Sequence, residues 1–257
     1  MSKPVWGLVG LAVLAQIGYP LVTGATRDAL TVVTVVLCSA AAVAHAAATQ
    51  GARTAATMLL VTAGGGVLVE AAGTATGVPF GTYAYAGSLG PSLPGVPLVI
   101  PFAWTMMAWP AWLVAGRLVR RGRILVAGWA LASWDLFLDP QMVAAGHWRW
   151  SDPAPGLPGV PDVPLTNYAG WTVVAVAMMA VLAAALPRTE PAGTDAPMYA
   201  FYLWTYASSA LAHLAFFGLP GSALWGGVAM GTVALPLAAT LALAATLGQR
   251  NQLKVPA

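Results

Sequence analysis

The chain has 257 residues, 59% of them hydrophobic and only 7% charged, with a mean hydropathy of +0.76. A soluble domain carries about 25% charged residues, so the composition excludes an ordinary water-soluble globule and points to a chain folded within a bilayer. The net charge of +3 comes from 11 basic residues scattered along the whole length, which excludes a nucleic-acid surface, and the single cysteine, Cys38, excludes an internal disulfide and a four-cysteine metal site.

Eight apolar runs are long enough to cross about 30 Å of hydrocarbon: residues 5–22, 29–48, 55–75, 98–119, 124–145, 171–186, 198–219 and 223–247. The first has a single lysine before it and no small-residue cleavage site after it, so it reads as a span and not as a cleaved signal. With the N-terminus cytoplasmic, Lys3, Arg53, Arg117, Arg120, Arg121, Arg123, Arg188, Arg250 and Lys254 fall inside, and only Arg27 and Arg149 outside. That asymmetry obeys the positive-inside rule. The expectation is one all-α polytopic transmembrane domain over residues 1–257, with about eight helices in one bundle and both termini cytoplasmic.

Two connections are long. Residues 77–97 and 146–167 are rich in Gly, Pro and aromatic residues, which rules out regular helix. The topology puts both on the outer face, where they read either as an interfacial aromatic belt or as a lid over one site.

The polar residues of the spans converge in depth. Asp135 and Asp139 are four residues apart in an otherwise apolar run, hence on one helix face about a turn apart. A carboxylate at the bilayer centre costs roughly 2.5–3.5 kcal/mol on insertion scales. At 1.5 Å per residue, Glu70 lies about 25 Å from the cytoplasmic end of its span, and the two aspartates about 18 and 24 Å from theirs. Trp104 and His213 reach a similar level, so a polar pocket under the outer loops is expected. Each residue also has a structural reading. Asp139 precedes Pro140 and can cap freed backbone; Asp135 can bond Asn167, Tyr168 or Ser133; His213 can be a satisfied bundle histidine; and Gly64, Gly65 and Gly66 can serve close helix packing.

Residues 64–172 also carry a resemblance. The string from Glu70 to Pro110 contains TGVPFG-x-Y-x-Y, and IP-x-AW-x-MMAWP follows; ASWDL-x-LDPQMV begins at Ala132, and PLTNY-x-GW ends at Trp171. Together these resemble the membrane carotenoid-biosynthesis hydratase family, of the bisanhydrobacterioruberin or γ-carotene hydratase type. The resemblance implies addition of water to the end group of an acyclic or monocyclic C40 or C50 carotenoid. It also implies a bacterial or archaeal cell membrane and, as possible company, other enzymes of carotenoid synthesis.

The chemistry of the residues fits that reaction. An acid protonates the terminal isopropylidene C=C, and water captures the tertiary carbocation as a tertiary alcohol, with no cofactor and no metal. A carboxyl in apolar surroundings keeps its proton, and two carboxyls a turn apart titrate as a unit. Asp135, the deeper, is the expected acid, with Asp139 as its partner and Glu70 as base or water ligand. Tyr83, Tyr85, Trp104, Trp134, Asn167 and His213 are the expected substrate-binding residues, the aromatic faces stabilising the cation. Two other classes stay open at this level: a prenyltransferase holding Mg²⁺ on the Asp135/Asp139 pair, and a proton-coupled transporter.

Overall fold

The structure, a computed structural model, describes residues 3–93, 95–188 and 192–252. Lys254 lies outside them, as does the side chain of Arg250. The helices are α1 (Lys3–Gly18), α2 (Gly24–Gln50), α3 (Ala52–Leu59), α4 (Gly65–Thr76), α5 (Ile100–Leu118), α6 (Arg123–Ala144), α7 (Leu165–Ala185), α8 (Ala196–Ala215) and α9 (Pro220–Gln252). A 3-10 turn, Tyr19–Leu21, ends α1, and a π-helical turn, Leu60–Gly64, joins α3 to α4 as one continuous rod. The rods follow the eight apolar runs to within a few residues.

The protein is an all-α membrane protein. Among the described residues, five helices are long and apolar enough to cross a membrane: 3–21, 24–50, 52–76, 165–185 and 220–247. Of the other three long helices, α5 and α6 hold the interior, α6 packing against α5, α7, α8 and α9; α6 carries Asp135 and Asp139, and α8 carries His213 and several hydroxyls. Helix α5 is buried almost all round from Ile100 to Ala115, as expected of a helix at the centre of a bundle. The perimeter is apolar in the opposite sense, with Leu60 and Leu68 each 74% exposed.

One boundary differs in a way that matters. Hydropathy starts the sixth span at residue 171, whereas α7 begins at Leu165, directly after Pro164. The first turn holds Thr166, Asn167 and Tyr168, too polar to read as a span but buried at Asn167. Asn167 therefore sits on a rigid helix facing α6.

The two long connections contain six short strands: β1 (Tyr83–Tyr85), β2 (Ser92–Leu93), β3 (Val96–Pro97), β4 (Trp148–Trp150), β5 (Gly156–Leu157) and β6 (Val160–Pro164). Strands β2 and β3 form a hairpin, as do β5 and β6. Strands β1 and β4 pair antiparallel across the two connections, Tyr83 opposite Trp150 and Tyr85 opposite Trp148. Alternation along Trp148–Trp150 turns both tryptophans inward and Arg149 outward. The two connections thus form one joined cap on one end of the bundle.

Close packing sets the aromatic wall beneath that cap. A Cβ on Gly66 would lie 2.8 Å from Cδ1 of Trp104, whereas one on Gly64 would meet only the end of Leu60 at 3.7 Å. The glycine triplet is thus one structural glycine with two spectators. Gly66→Ala is expected to displace the Trp104 ring and cost about 1–3 kcal/mol, while Gly64→Ala is neutral or slightly stabilising; thermal unfolding of the two variants in detergent checks the difference.

Candidate active site

Three carboxyls lie buried beneath the cap. Glu70 on α4 is held by three donors: Tyr83 Oη at 2.6 Å and Tyr85 Oη at 2.8 Å, both to Oε2, and Trp104 Nε1 at 3.1 Å to Oε1. Such charge-assisted bonds suit an ionised carboxylate. Its two tyrosines come from β1, so the strand that ties the cap together also carries the ligands of Glu70.

Asp135 and Asp139 meet on a single amide. Asn167 Nδ2 donates to Asp135 Oδ2 at 2.9 Å and also to Asp139 Oδ2, while Trp148 Nε1 donates to Asp139 Oδ1 at 3.1 Å. Asp135 is fully buried, and its Oδ1 has no hydrogen-bond partner; the hydroxyl of Tyr168 is likewise buried without a partner.

A cavity opens between these groups. Glu70, Tyr83, Tyr85, Trp104, Asp139 and Asn167 all border it, and Phe80, Trp148, Trp150 and Trp171 close its aromatic wall. Trp104 stacks on Trp171 with ring centroids 4.0 Å apart and planes 12° from parallel, and Trp134 meets the edge of Trp171 at 6.3 Å. An aromatic box with an anion at one side is a setting for an apolar group that becomes cationic.

Several expected residues take other places. Asp135 lies behind Asp139 and does not border the cavity. Trp134 borders a second, adjoining cavity. Asn167 serves the two aspartates, and Tyr83 and Tyr85 serve Glu70.

His213 is the clear correction to the expected substrate-binding set. Its Nδ1 lies 2.7 Å from the carbonyl of Ser209 and its Nε2 3.0 Å from that of Phe137, and it borders neither cavity. Pro140 lacks an N–H and so frees the carbonyl four residues earlier, that of Leu136, which accepts a bond from Ser222 Oγ at 2.6 Å. His213 reaches from α8 to the next carbonyl, that of Phe137, and does not meet the cavity. Helix α6 accordingly runs on through Pro140 to Ala144, so Asp139 has no helix end to cap.

Other residues in the site escaped the sequence reading. Trp148 and Trp150 were legible as an inward pair through the W-x-W alternation, and Trp171 through its place after Asn167. Nothing local marked the bond of Ser88 Oγ to His147 Nδ1 at 2.7 Å, or Asp28 at 3.8 Å from His147 Nε2. The first joins the two connections of the cap, and Asp28, at the start of α2, faces the imidazole without a hydrogen bond.

No solved structure matches this chain. A family model described as "Carotenoid biosynthesis protein" matches residues 30–233. The chain belongs to that carotenoid-biosynthesis family. A curated relative, bisanhydrobacterioruberin hydratase of Haloarcula japonica, is 34% identical over 110 residues, which cover 40% of this chain and 36% of the relative. The chain thus matches little more than a third of that relative's length. The match of the family model covers both carboxyl-bearing helices and most of the bundle, and so extends beyond the motif-rich stretch of residues 64–172.

The His147 contacts generate a pH prediction. Burial pushes its imidazole below the ordinary value of 6.5, and Asp28 opposes that only in part. A neutral imidazole therefore stabilises the cap above about pH 6.5, and this contribution is lost as pH falls through the lowered value. Thermal stability in detergent should drop on acidification through that window, and His147→Gln, which can still bond Ser88, should flatten the drop.

Proposed function

We propose that the protein is a carotenoid hydratase that adds water to the terminal isopropylidene double bond of an acyclic or monocyclic carotenoid. The observation that carries this reading is the pairing, across one aromatic cavity, of a carboxylate saturated with donors and a two-aspartate pair that shares one amide. The curated relative's printed activity supports it in kind.

Two carboxylates converging on Asn167 repel each other, so the pair holds a proton between them. Asp139, the member at the cavity wall, delivers this proton to the less substituted alkene carbon. Asp135 lies behind as the second site for the proton. This placement reverses the order expected from depth along α6, where Asp135 was the donor. The positive charge then develops on the tertiary carbon, faced by the rings of Trp104, Trp171 and Tyr85, with the Glu70 carboxylate as counter-charge. Water attacks that carbon and gives up a proton to Glu70, and return of this proton to the aspartate pair closes the cycle. One water is consumed, and no electron changes hands.

A prenyl-diphosphate reading is less well supported: such a substrate calls for cations beside the carboxyls, but Arg117 and Arg123 lie at the opposite ends of α5 and α6, and Arg149 is exposed on β4. A transporter calls for polar groups across the full depth of the bundle, whereas the three carboxyls cluster at the capped end.

The same reading places eight spans in a bacterial or archaeal cell membrane, the whole chain forming one domain with both termini in the cytoplasm and the cap on the outer face. Cysteine labelling that finds Arg120 and Tyr83 on one side of the membrane would overturn this topology.

The activity is tested by expression in hosts that accumulate lycopene, γ-carotene or a C50 precursor, with mass analysis of the pigments. The expected product is heavier by one water per reacted end, with its oxygen drawn from labelled solvent. Asp139→Asn should lower the rate by about 10²–10⁴-fold, as removal of a general acid does. Asp135→Asn should also be severely impaired, having lost the proton reservoir, and Glu70→Gln should be slowed by loss of the counter-charge. If all three variants hydrate at the wild-type rate, the site is misassigned.

A further inference from the structure

A second cavity, enclosed by α1, α2, α5, α6 and α8, adjoins the first. Thr31, Val35, Ala103, Leu138 and Met142 border both, so nothing but their side chains separates the two. Its lining is mostly apolar, but Gln16, Tyr19, Thr34, Gln141, Thr205 and Ser208 bring into it polar groups that the aromatic box does not share. Two of these, Tyr19 Oη and Thr34 Oγ1, are buried without a hydrogen-bond partner, in residues only 7% and 9% exposed. A buried hydroxyl left unbonded costs about 1–3 kcal/mol, and water is its usual remedy.

The chamber also has a way out. Tyr19, Gln141 and Phe217 border both this cavity and a shallow polar one at the capped end, where Arg27, Ala145 and Leu219 lie. Three spaces therefore run in series from the bundle end to the wall that carries Asp139. The reaction consumes a water, and the unbonded hydroxyls of Tyr19 and Thr34 offer it bonding partners on the way to the wall that carries Asp139.

We propose, resting on the hydratase reading, that this chamber is the water path of the enzyme, with Tyr19 and Thr34 relaying water inward from the capped end to the carboxyl site. Tyr19 and Thr34 are then positioning residues, acting on the substrate water and not on the carotenoid.

Cysteines at Thr34 and Ser208 test the path in native membranes, using a small charged methanethiosulfonate as probe. Native Cys38 lies one turn beyond Thr34 on α2, is buried and borders neither this cavity nor the first, so it is an internal control. The expected result is modification at positions 34 and 208 but not at Cys38, with loss of hydration once the chamber is blocked. Protection of both positions, when a cysteine at exposed Asp152 reacts, overturns the path. So does wild-type hydration after full modification, which leaves the hydratase reading standing. Labelling of both positions in a protein that hydrates none of the carotenoids supports an aqueous chamber and sinks the hydratase reading instead. As a milder test, Thr34→Val with Tyr19→Phe should lower kcat about tenfold with KM for the carotenoid unchanged; an unchanged kcat counts against the path.

Discussion

A carboxyl cannot be left bare in a hydrocarbon-like interior, and this protein buries three within one end of a helical bundle. Each carboxyl there must find at least one partner in the protein, and meeting that demand organises the surroundings. Glu70 draws Tyr83 and Tyr85 down from the connection after α4 and Trp104 across from α5. The aspartates draw Trp148 from the connection after α6 and Asn167 from the first turn of α7. Because both connections are pinned to carboxyls below, their strands β1 and β4 are brought into register above. The cap follows from the buried charge.

The same constraint explains the polar residues that serve no chemistry. A proline in the last turns of α6 liberates the carbonyl of Leu136 in a place without bulk water, and α9 supplies Ser222 to it; His213 of α8 lies against the carbonyl of Phe137 beside it. Pro140 is thereby matched by α9. Its neighbour Asp139 is held by Asn167 and Trp148 and is left free to face the cavity. A freed carbonyl, the hydroxyl that bonds it and a reactive group lie within a turn of one another, and only the last belongs to the site.

Aromatic residues complete the arrangement by shape. Trp104 is fixed from three directions: its indole N–H by Glu70, one edge by the absent side chain of Gly66, and its face by Trp171. A ring held this firmly is preorganised, so it loses little on meeting a developing cation.

Class was determined by the sequence alone, because hydropathy is additive along the chain: eight apolar runs, a sparse and lopsided set of basic residues and two Gly/Pro-rich connections suffice for an all-α membrane protein. The carboxyls were legible too, since a charge in an apolar run is conspicuous, and helical rise put Glu70, Asp135 and Asp139 at one depth. What depth along an axis leaves open is azimuth. That Asp139 faces the cavity while Asp135 stands behind it, that Asn167 belongs to the carboxyls, and that His213 turns away to the carbonyl of Phe137 all depend on the rotation of each helix against its neighbours. Those rotations come from contacts such as Gly128 against Val176, where a Cβ would lie 2.6 Å from a valine methyl, and from hydrogen bonds between residues tens of positions apart. Such partners carry no signal in local composition, so tertiary structure alone decided which of the buried polar groups form the site.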